Sequence, residues 1–158
     1  MSIELVQKID SVMEQYGWDQ PHAIFGIKDG VFVKIKDFLD HPIPVLAAMT
    51  QEITDSEEKT LEAVIMSVEG WTYPDNVFGE GVKSTREAVE ALYQIIPPSK
   101  HPNRVEIRNV FCATKDGEFT FTKKRGGQVI FHDKLSSESQ VEGPVPDALR
   151  AYAKKVLK

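Results

Sequence analysis

The chain has little cysteine and no long apolar run, and both absences restrict its class. Cys112 is the only cysteine among 158 residues, so an internal disulfide is excluded and a reducing compartment is the natural setting. No apolar stretch approaches the roughly 20 residues that a bilayer-spanning helix needs, and the first residues lack the basic and apolar regions of a secretion signal. We therefore expect a cytoplasmic protein that does not enter a membrane.

Motifs that would indicate a cofactor or a metal are also missing. The glycines at 79 and 81 have neither the Lys-Ser/Thr ending of a phosphate loop nor the three-glycine fingerprint of a dinucleotide site. The four histidines lack the close spacing of metal ligands: His22, His41, His101 and His132. The sequence thus predicts no metal site and no cofactor, and it indicates a binding protein more than an enzyme.

Positive charge collects in one segment of an acidic chain. The chain carries 19 basic and 24 acidic residues for a net charge of −5, yet residues 100–134 hold eight basic and four acidic groups. Most of the surface of such a protein repels a phosphate backbone, so a duplex-coating function is disfavoured. Only the positive segment keeps nucleic acid as an alternative partner.

Apolar residues at helical spacing predict about four helices. The first covers residues 3–16, and Gly17 stands where a C-terminal cap belongs. Ser84 and Glu87 form a capping-box pair at the start of the third helix. The second and last helices begin at prolines, which the first helical turn tolerates: Pro42, Pro44 and Pro146.

Apolar residues at alternate positions predict about six strands. Asp29-Gly30, a favoured pair for a two-residue turn, joins two strands over residues 23–35. Residues 61–68 are apolar on both faces, as in a central strand. Three further strands follow after residue 103. We therefore predict a single α+β domain over residues 1–158, mainly an antiparallel sheet with the helices packed on it.

The last three strands form the basic meander, residues 104–133. Its predicted turns are Asp116-Gly117 and Gly126-Gly127, and a bulge near Asn109 would reconcile the irregular pattern of its first strand. Phe119 and Phe121 alternate with polar residues, so one face of the meander is predicted to be core. We expect the other, solvated face to carry the basic groups.

Two segments are candidates for a binding site. The basic meander offers guanidinium groups, which suit phosphate or carboxylate geometry. The segment Glu69-Gly70-Trp71 is predicted to be a loop at the end of the central strand, a frequent location for sites held by a rigid scaffold. The candidate binding residues are Arg104, Arg108, Lys123, Lys124, Arg125, Glu69, Trp71 and His101.

Four strings of the sequence resemble those of a loose group of small, uncharacterised bacterial and phage-borne proteins. The strings cover under a quarter of the chain: Glu69 to Trp71, His101 to Arg108, Arg125 to Gly127 and Val145 to Arg150. The resemblance implies a single cytosolic domain, and it carries over no catalytic or binding residue.

The leading hypothesis is a non-catalytic interaction or accessory protein that binds a partner protein through the basic meander or the Trp71 loop. A homodimer through an uncovered strand edge is one form of it. A first alternative is a small hydrolase-like enzyme that uses Glu69, His101 or Arg104 in a cleft at the strand ends. A second is a binder of single-stranded nucleic acid, provided that the face of Phe119 and Phe121 is open to stacking bases.

Overall fold

The strands of the described residues form one antiparallel sheet. The computed structural model describes residues 3–38, 41–54, 59–132 and 144–158. Its elements in chain order are α1 (Ile3–Tyr16), β1 (His22–Lys28), β2 (Val31–Phe38), α2 (Pro42–Glu52), β3 (Ala63–Thr72), α3 (Arg86–Ile95), a 3₁₀ turn (Pro98–Lys100), β4 (Val105–Thr114), β5 (Gly117–Lys124), β6 (Val129–His132) and α4 (Pro144–Val156). The strand order is β2-β1-β3-β4-β5-β6, and all neighbouring strands are antiparallel. The predicted α+β class with an antiparallel sheet is confirmed.

Helices cover both faces of the sheet, and each face has its own apolar core. On one face, α1 buries Val6, Ile9 and Met13 against the sheet, where they meet side chains such as Phe25 and Phe121. The core on the opposite face includes Leu46 of α2 and the buried residues of α4, which are Leu149, Tyr152 and Ala153. Because β3 lies between two covered faces, its first half is buried throughout, as predicted for a central strand.

Turn residues place α1, β1 and β2 as the sequence predicts. Gly17 adopts a positive φ of 85° directly after α1, and its N–H donates to the carbonyl of Met13, 3.0 Å away. Asp29 and Gly30 have φ values of 50° and 75°, so both central residues of the hairpin turn are left-handed. This conformation suits the Asp-Gly pair and matches the twist of the two strands.

The central strand is longer than predicted, which corrects the Trp71 loop. The strand β3 continues past residue 68 to Thr72, and Glu69, Gly70 and Trp71 pair with β4 in unbroken register. The sequence was misleading because the apolar pattern ends at residue 68, and the last residues of the strand are only partly buried or exposed. The backbone pairing continues although the side chains become polar.

The predicted bulge near Asn109 is wrong. Residues 105–114 of β4 pair with β3 in continuous register, and residues 107–114 do the same with β5. The irregular pattern arises because both faces of β4 are partly buried, and the Asn109 side chain accepts a hydrogen bond from the Thr122 hydroxyl at 2.8 Å. The register shift that the structure contains lies instead between Ile24 and Phe25, in the pairing of β1 with β2.

Three predicted boundaries shift by one or two residues. The N-cap of α3 is Thr85 rather than Ser84, since the Thr85 hydroxyl accepts from the Ala88 N–H at 3.2 Å. Gly117 already pairs with Thr114, so the first turn of the meander consists of residues 115–116. The last helix, α4, begins at Pro144 instead of near Pro146.

The connection from β3 to β4, residues 73–104, stands apart from the core. Its helix α3 contains no buried residue, and it leaves three large apolar side chains exposed in or near it: Val82, Tyr93 and Ile95. At the base of the connection the Tyr73 hydroxyl donates to the carbonyl of Ile96, 2.6 Å away. No helix among the described residues is both long and apolar enough to cross a bilayer.

Candidate functional site

Six of the eight candidate residues lie on the α1 face of the sheet. Neighbouring strands place Glu69 opposite Arg108, and Arg108 opposite Lys123. Trp71 belongs to the same face because residues two apart in a strand share a face. The group has two other members: Arg104 lies over the Trp71 ring, and Arg125 pairs with Glu106, which is opposite Trp71 in the sheet.

The remaining two candidates lie elsewhere. Lys124 points to the opposite face, and its ammonium group pairs with Asp75 of the β3 to β4 connection at 2.8 Å. His101 follows the 3₁₀ turn, where its Nδ1 accepts from the Asn103 N–H at 3.1 Å. The structure therefore does not place all candidates in one surface.

Three basic groups of the meander do not occupy the solvated face predicted for it, whereas Lys124 does point to that side. Arg108, Lys123 and Arg125 lie on the same side as Phe119 and Phe121, beyond the part of the sheet that the apolar face of α1 covers. This side of the sheet changes along the strands from an apolar core to a charged cluster. The alternation of apolar and polar residues distinguishes the two faces of a strand, but it does not reveal a change along the length of one face.

Arg108 is the best-buried charge in the cluster, with 2% of its surface exposed. Its guanidinium donates to Glu14 Oε1 at 3.1 Å and to the carbonyl of Gly17 at 2.9 Å, while Glu69 Oε1 lies 3.9 Å away. The Trp18 ring covers the group, with 4.3 Å between Cζ and the ring centroid. Arg108 thus joins the end of α1 to the middle of the sheet.

Lys123 and α1 form a second set of ion pairs. The Lys123 ammonium lies 3.0 Å from Asp10 Oδ2 and 3.3 Å from Glu14 Oε1. Partial burial by itself raises the pKa of Glu14, but the combined effect of Lys123 and Arg108 is greater, and the pKa is lowered. Glu14 therefore stays ionised between its two cationic partners.

Arg125 neutralises two of three neighbouring carboxylates. Its guanidinium lies 2.9 Å from Glu106 Oε2 and 3.2 Å from both oxygens of Asp19. Hydrogen bonds to Glu106 and then to Asp19 raise the pKa of Arg125. Carboxylate oxygens of Asp19, Glu69 and Glu106 all lie within 4.8 Å of one another, a spacing that a divalent cation can use. Here the guanidinium supplies the positive charge to Asp19 and Glu106.

Glu69 is the carboxylate that the cluster satisfies least. Its Oε2 accepts from the Gln20 N–H at 3.2 Å, whereas its Oε1 is buried without a hydrogen bond. Burial raises the pKa of Glu69, and the attraction of Arg108 offsets only part of this effect. Glu69 therefore binds a proton more readily than an exposed glutamate does.

Trp71 and Arg104 form the exposed part of this face. Trp71 is 42% exposed, and Arg104 lies over its ring with 4.7 Å between Cζ and the centroid. Arg104 Nη1 also donates to the carbonyl of His101 at 3.3 Å, which holds the guanidinium in place. We call four residues the Trp–Arg surface: Trp18, Trp71, Arg104 and Arg125. Glu106 connects two of them, since it lies opposite Trp71 in the sheet and forms an ion pair with Arg125.

No family model, curated protein or solved structure matches this chain.

The residues named for a hydrolase-like site do not converge among the described contacts. The His101 and Tyr73 rings pack edge to face, with 5.7 Å between their centroids. Arg104 contacts His101 only through the His101 backbone carbonyl. Glu69 instead contacts Arg108 and the backbone of Gln20. The described contacts therefore do not bring the side chains of Glu69, His101 and Arg104 together at one point.

The single-strand hypothesis required the face of Phe119 and Phe121 to be open to bases, and this condition is not met. Phe119 and Phe121 are buried, at 4% and 1% exposure, so neither ring can stack on a base. Arg108, Lys123 and Arg125 already pair with carboxylates, which reduces the positive field that attracts a phosphate backbone.

Sequence reasoning missed the partners that α1 and its following loop supply. Trp18 lies between two guanidinium groups, and Asp19, with a positive φ of 64°, pairs with one of them. Asp10 and Glu14 lie four residues apart and therefore on one face of the helix, a signal that could have indicated a cationic neighbour. Nothing local in the sequence connects that helix face to a strand about 100 residues later.

Proposed function

We propose that this protein is a cytosolic, non-catalytic interaction protein that binds a partner protein through the Trp–Arg surface. The observation that carries the proposal is the exposed stack of Arg104 on Trp71. Tryptophan and arginine are enriched among the residues that contribute most to protein interfaces, because they combine a large apolar area with directed hydrogen bonding.

The surface is held in shape before any partner arrives. Arg104 is fixed by the Trp71 ring and the His101 carbonyl, and Arg125 is fixed by Asp19 and Glu106. Side chains that are ordered in advance lose less entropy on binding, which favours affinity. Arg108 and Lys123 already form ion pairs within the protein, which supports a structural role for them. The partner would then contact the more exposed residues of the Trp–Arg surface.

The chemistry of Arg104 indicates what the partner offers. Among the described residues no carboxylate pairs with Arg104, although its planar guanidinium suits bidentate recognition. An acidic side chain or a backbone carbonyl of the partner would fill this position, and an apolar group would cover Trp71.

The single buried cysteine, whose pKa burial raises, is consistent with a reducing compartment and an unreactive thiol.

Affinity capture from the native host with matched variants tests the proposal. We expect Trp71→Ala and Arg104→Ala to lose a protein that the wild type and Ile95→Ala both retain, because Ile95 is exposed outside the Trp–Arg surface. With that protein purified, each surface variant should raise the Kd by about 10-fold or more. Light scattering distinguishes a second copy of the chain from a different partner.

Equal retention by all four proteins would contradict the proposal, as would a partner that Ile95→Ala alone releases.

Within the described sheet, β2 and β6 are the edge strands, and the predicted homodimer would use one of them. The charges of Lys34, Lys36 and Asp37 on β2 are of the kind that discourages edge pairing. We therefore place the partner contact on the Trp–Arg surface.

A further inference from the structure

A cleft on the face of the sheet opposite α1 combines an apolar floor with positive charge. It encloses about 290 Å³ near the end of α4, and its apolar lining comes from Ile35, Ile53, Leu61 and Val156. This volume lies at the lower end of the roughly 300 to 1,000 Å³ found for small-molecule sites. The cleft is therefore large enough for a short aliphatic chain.

Three polar groups that line the cleft have no partner within the described part of the protein. They are the Lys28 ammonium, the Thr60 hydroxyl and the Tyr152 hydroxyl. Tyr152 is only 5% exposed as a residue, but its hydroxyl keeps some contact with solvent and is therefore accessible to a ligand. Burial raises the pKa of Tyr152, so the hydroxyl stays protonated at neutral pH. It can therefore donate a hydrogen bond to an acceptor.

The charge of the lining selects the acceptor. Lys28 and Lys155 line the cleft, and because Lys155 has an interaction of its own, the charge available to a ligand is that of Lys28. The described lining contains no carboxylate. Donors and positive charge at one apolar cleft favour an anion that carries a hydrocarbon chain. We propose that this cleft binds a short to medium-chain aliphatic carboxylate, with Lys28, Thr60 and Tyr152 toward the carboxylate and the chain over Leu61 and Val156.

Titration of the isotope-labelled full chain with sodium octanoate, followed by NMR, tests the proposal. We expect saturable shifts of the Leu61 and Val156 amide signals with a Kd below about 1 mM. The neutral analogue 1-octanol should bind at least about 10-fold more weakly, because it cannot pair with the lysine.

Two substitutions separate the charge from the hydroxyl. Lys28→Met keeps the length of the side chain and should weaken octanoate binding about 10-fold. Tyr152→Phe keeps the ring in the core and should weaken it about 3- to 10-fold. Lys36→Met is the matched control, since Lys36 is an exposed lysine of β2 outside the cleft lining, and binding should be unchanged.

Several results would overturn the proposal. These are equal affinity for octanoate and octanol, equal loss in Lys28→Met and Lys36→Met, or shifts centred away from Leu61 and Val156. Failure of octanoate to bind overturns it as well. The Trp–Arg surface takes no part in this test, so the two proposals stand or fall separately.

Discussion

Arg108 shows how a single side chain can connect three parts of this fold. It belongs to β4, contacts Glu14 of α1 and the Gly17 carbonyl, and lies under the Trp18 ring. A charge that is 98% buried must be paired and hydrogen bonded, because burial removes its hydration. The geometry provides both, so the residue is a structural element of the charged cluster rather than a free contact group.

Removal of the Arg108 charge should therefore destabilise the protein strongly. We expect Arg108→Met to lower the free energy of unfolding by about 3 kcal/mol, since the Gly17 carbonyl and the buried Glu69 would lose their cationic neighbour. Urea denaturation followed by circular dichroism measures the change. The control is Arg104→Met, which removes an exposed guanidinium and should cost less than about 1 kcal/mol. Equal losses in the two variants would contradict this role for Arg108.

At the scale of the element, α3 differs from the other helices because it contributes no buried residue. An isolated helix of about 10 residues is marginal in water, so its ends carry more of its stability than usual. The Thr85 hydroxyl satisfies the Ala88 N–H at the start, and the Ile96 N–H donates to the carbonyl of Leu92 at the end. Local interactions of this kind can be predicted from sequence, although the cap was misplaced by one residue.

Loss of the N-cap should open α3 without unfolding the sheet. We expect Thr85→Ala to lower the opening free energy of the α3 amides by about 1 kcal/mol, because one N–H at the helix start loses its acceptor. Hydrogen exchange measured by NMR reports this value residue by residue. Ser84→Ala, at the position that the sequence favoured, should leave it unchanged. A larger effect from Ser84→Ala, or an equal loss in the β3 amides, would contradict the assignment of the cap.

At the scale of the whole molecule, the sheet separates two apolar cores. Ile9 belongs to the core under α1 and Leu46 to the core under α2 and α4, and both are fully buried. The central strands contribute side chains to both cores: Ile65 of β3 to one, Val64 and Met66 to the other. Shared strands make the two layers fold together, while separate cores keep their local packing independent.

Substitutions in the two cores should add. Ile9→Val should cost about 1 kcal/mol and Leu46→Ala about 3 kcal/mol, as methyl groups are removed from close-packed interiors. The double variant should lose the sum to within about 0.5 kcal/mol, because the two side chains lie in different clusters. Urea denaturation with two spectroscopic probes tests this and the expected single transition. Two separate transitions, or a coupling well above that margin, would contradict the arrangement.

The elements that depend on local interactions can be predicted from the order of the amino acids. The 3.6-residue spacing placed α1, the Asp29-Gly30 pair placed the first hairpin, and strict alternation placed the two phenylalanines of β5 in a core. Each of these depends on neighbours within a few residues, which the printed order of the chain contains. The α+β class follows from them because amphipathic helices and strands must bury their apolar sides together.

The roles of the charged residues depend instead on contacts between distant parts of the chain. Whether Arg108 is a solvated contact or a buried support depends on Glu14 and Gly17, more than 90 positions away in the chain. The same separation explains why β3 runs past its apolar pattern: its continuation pairs with β4, a strand more than 30 residues later in the chain. Coulombic and hydrogen-bond energies depend on distances in space, and the position of α1 across the sheet sets those distances.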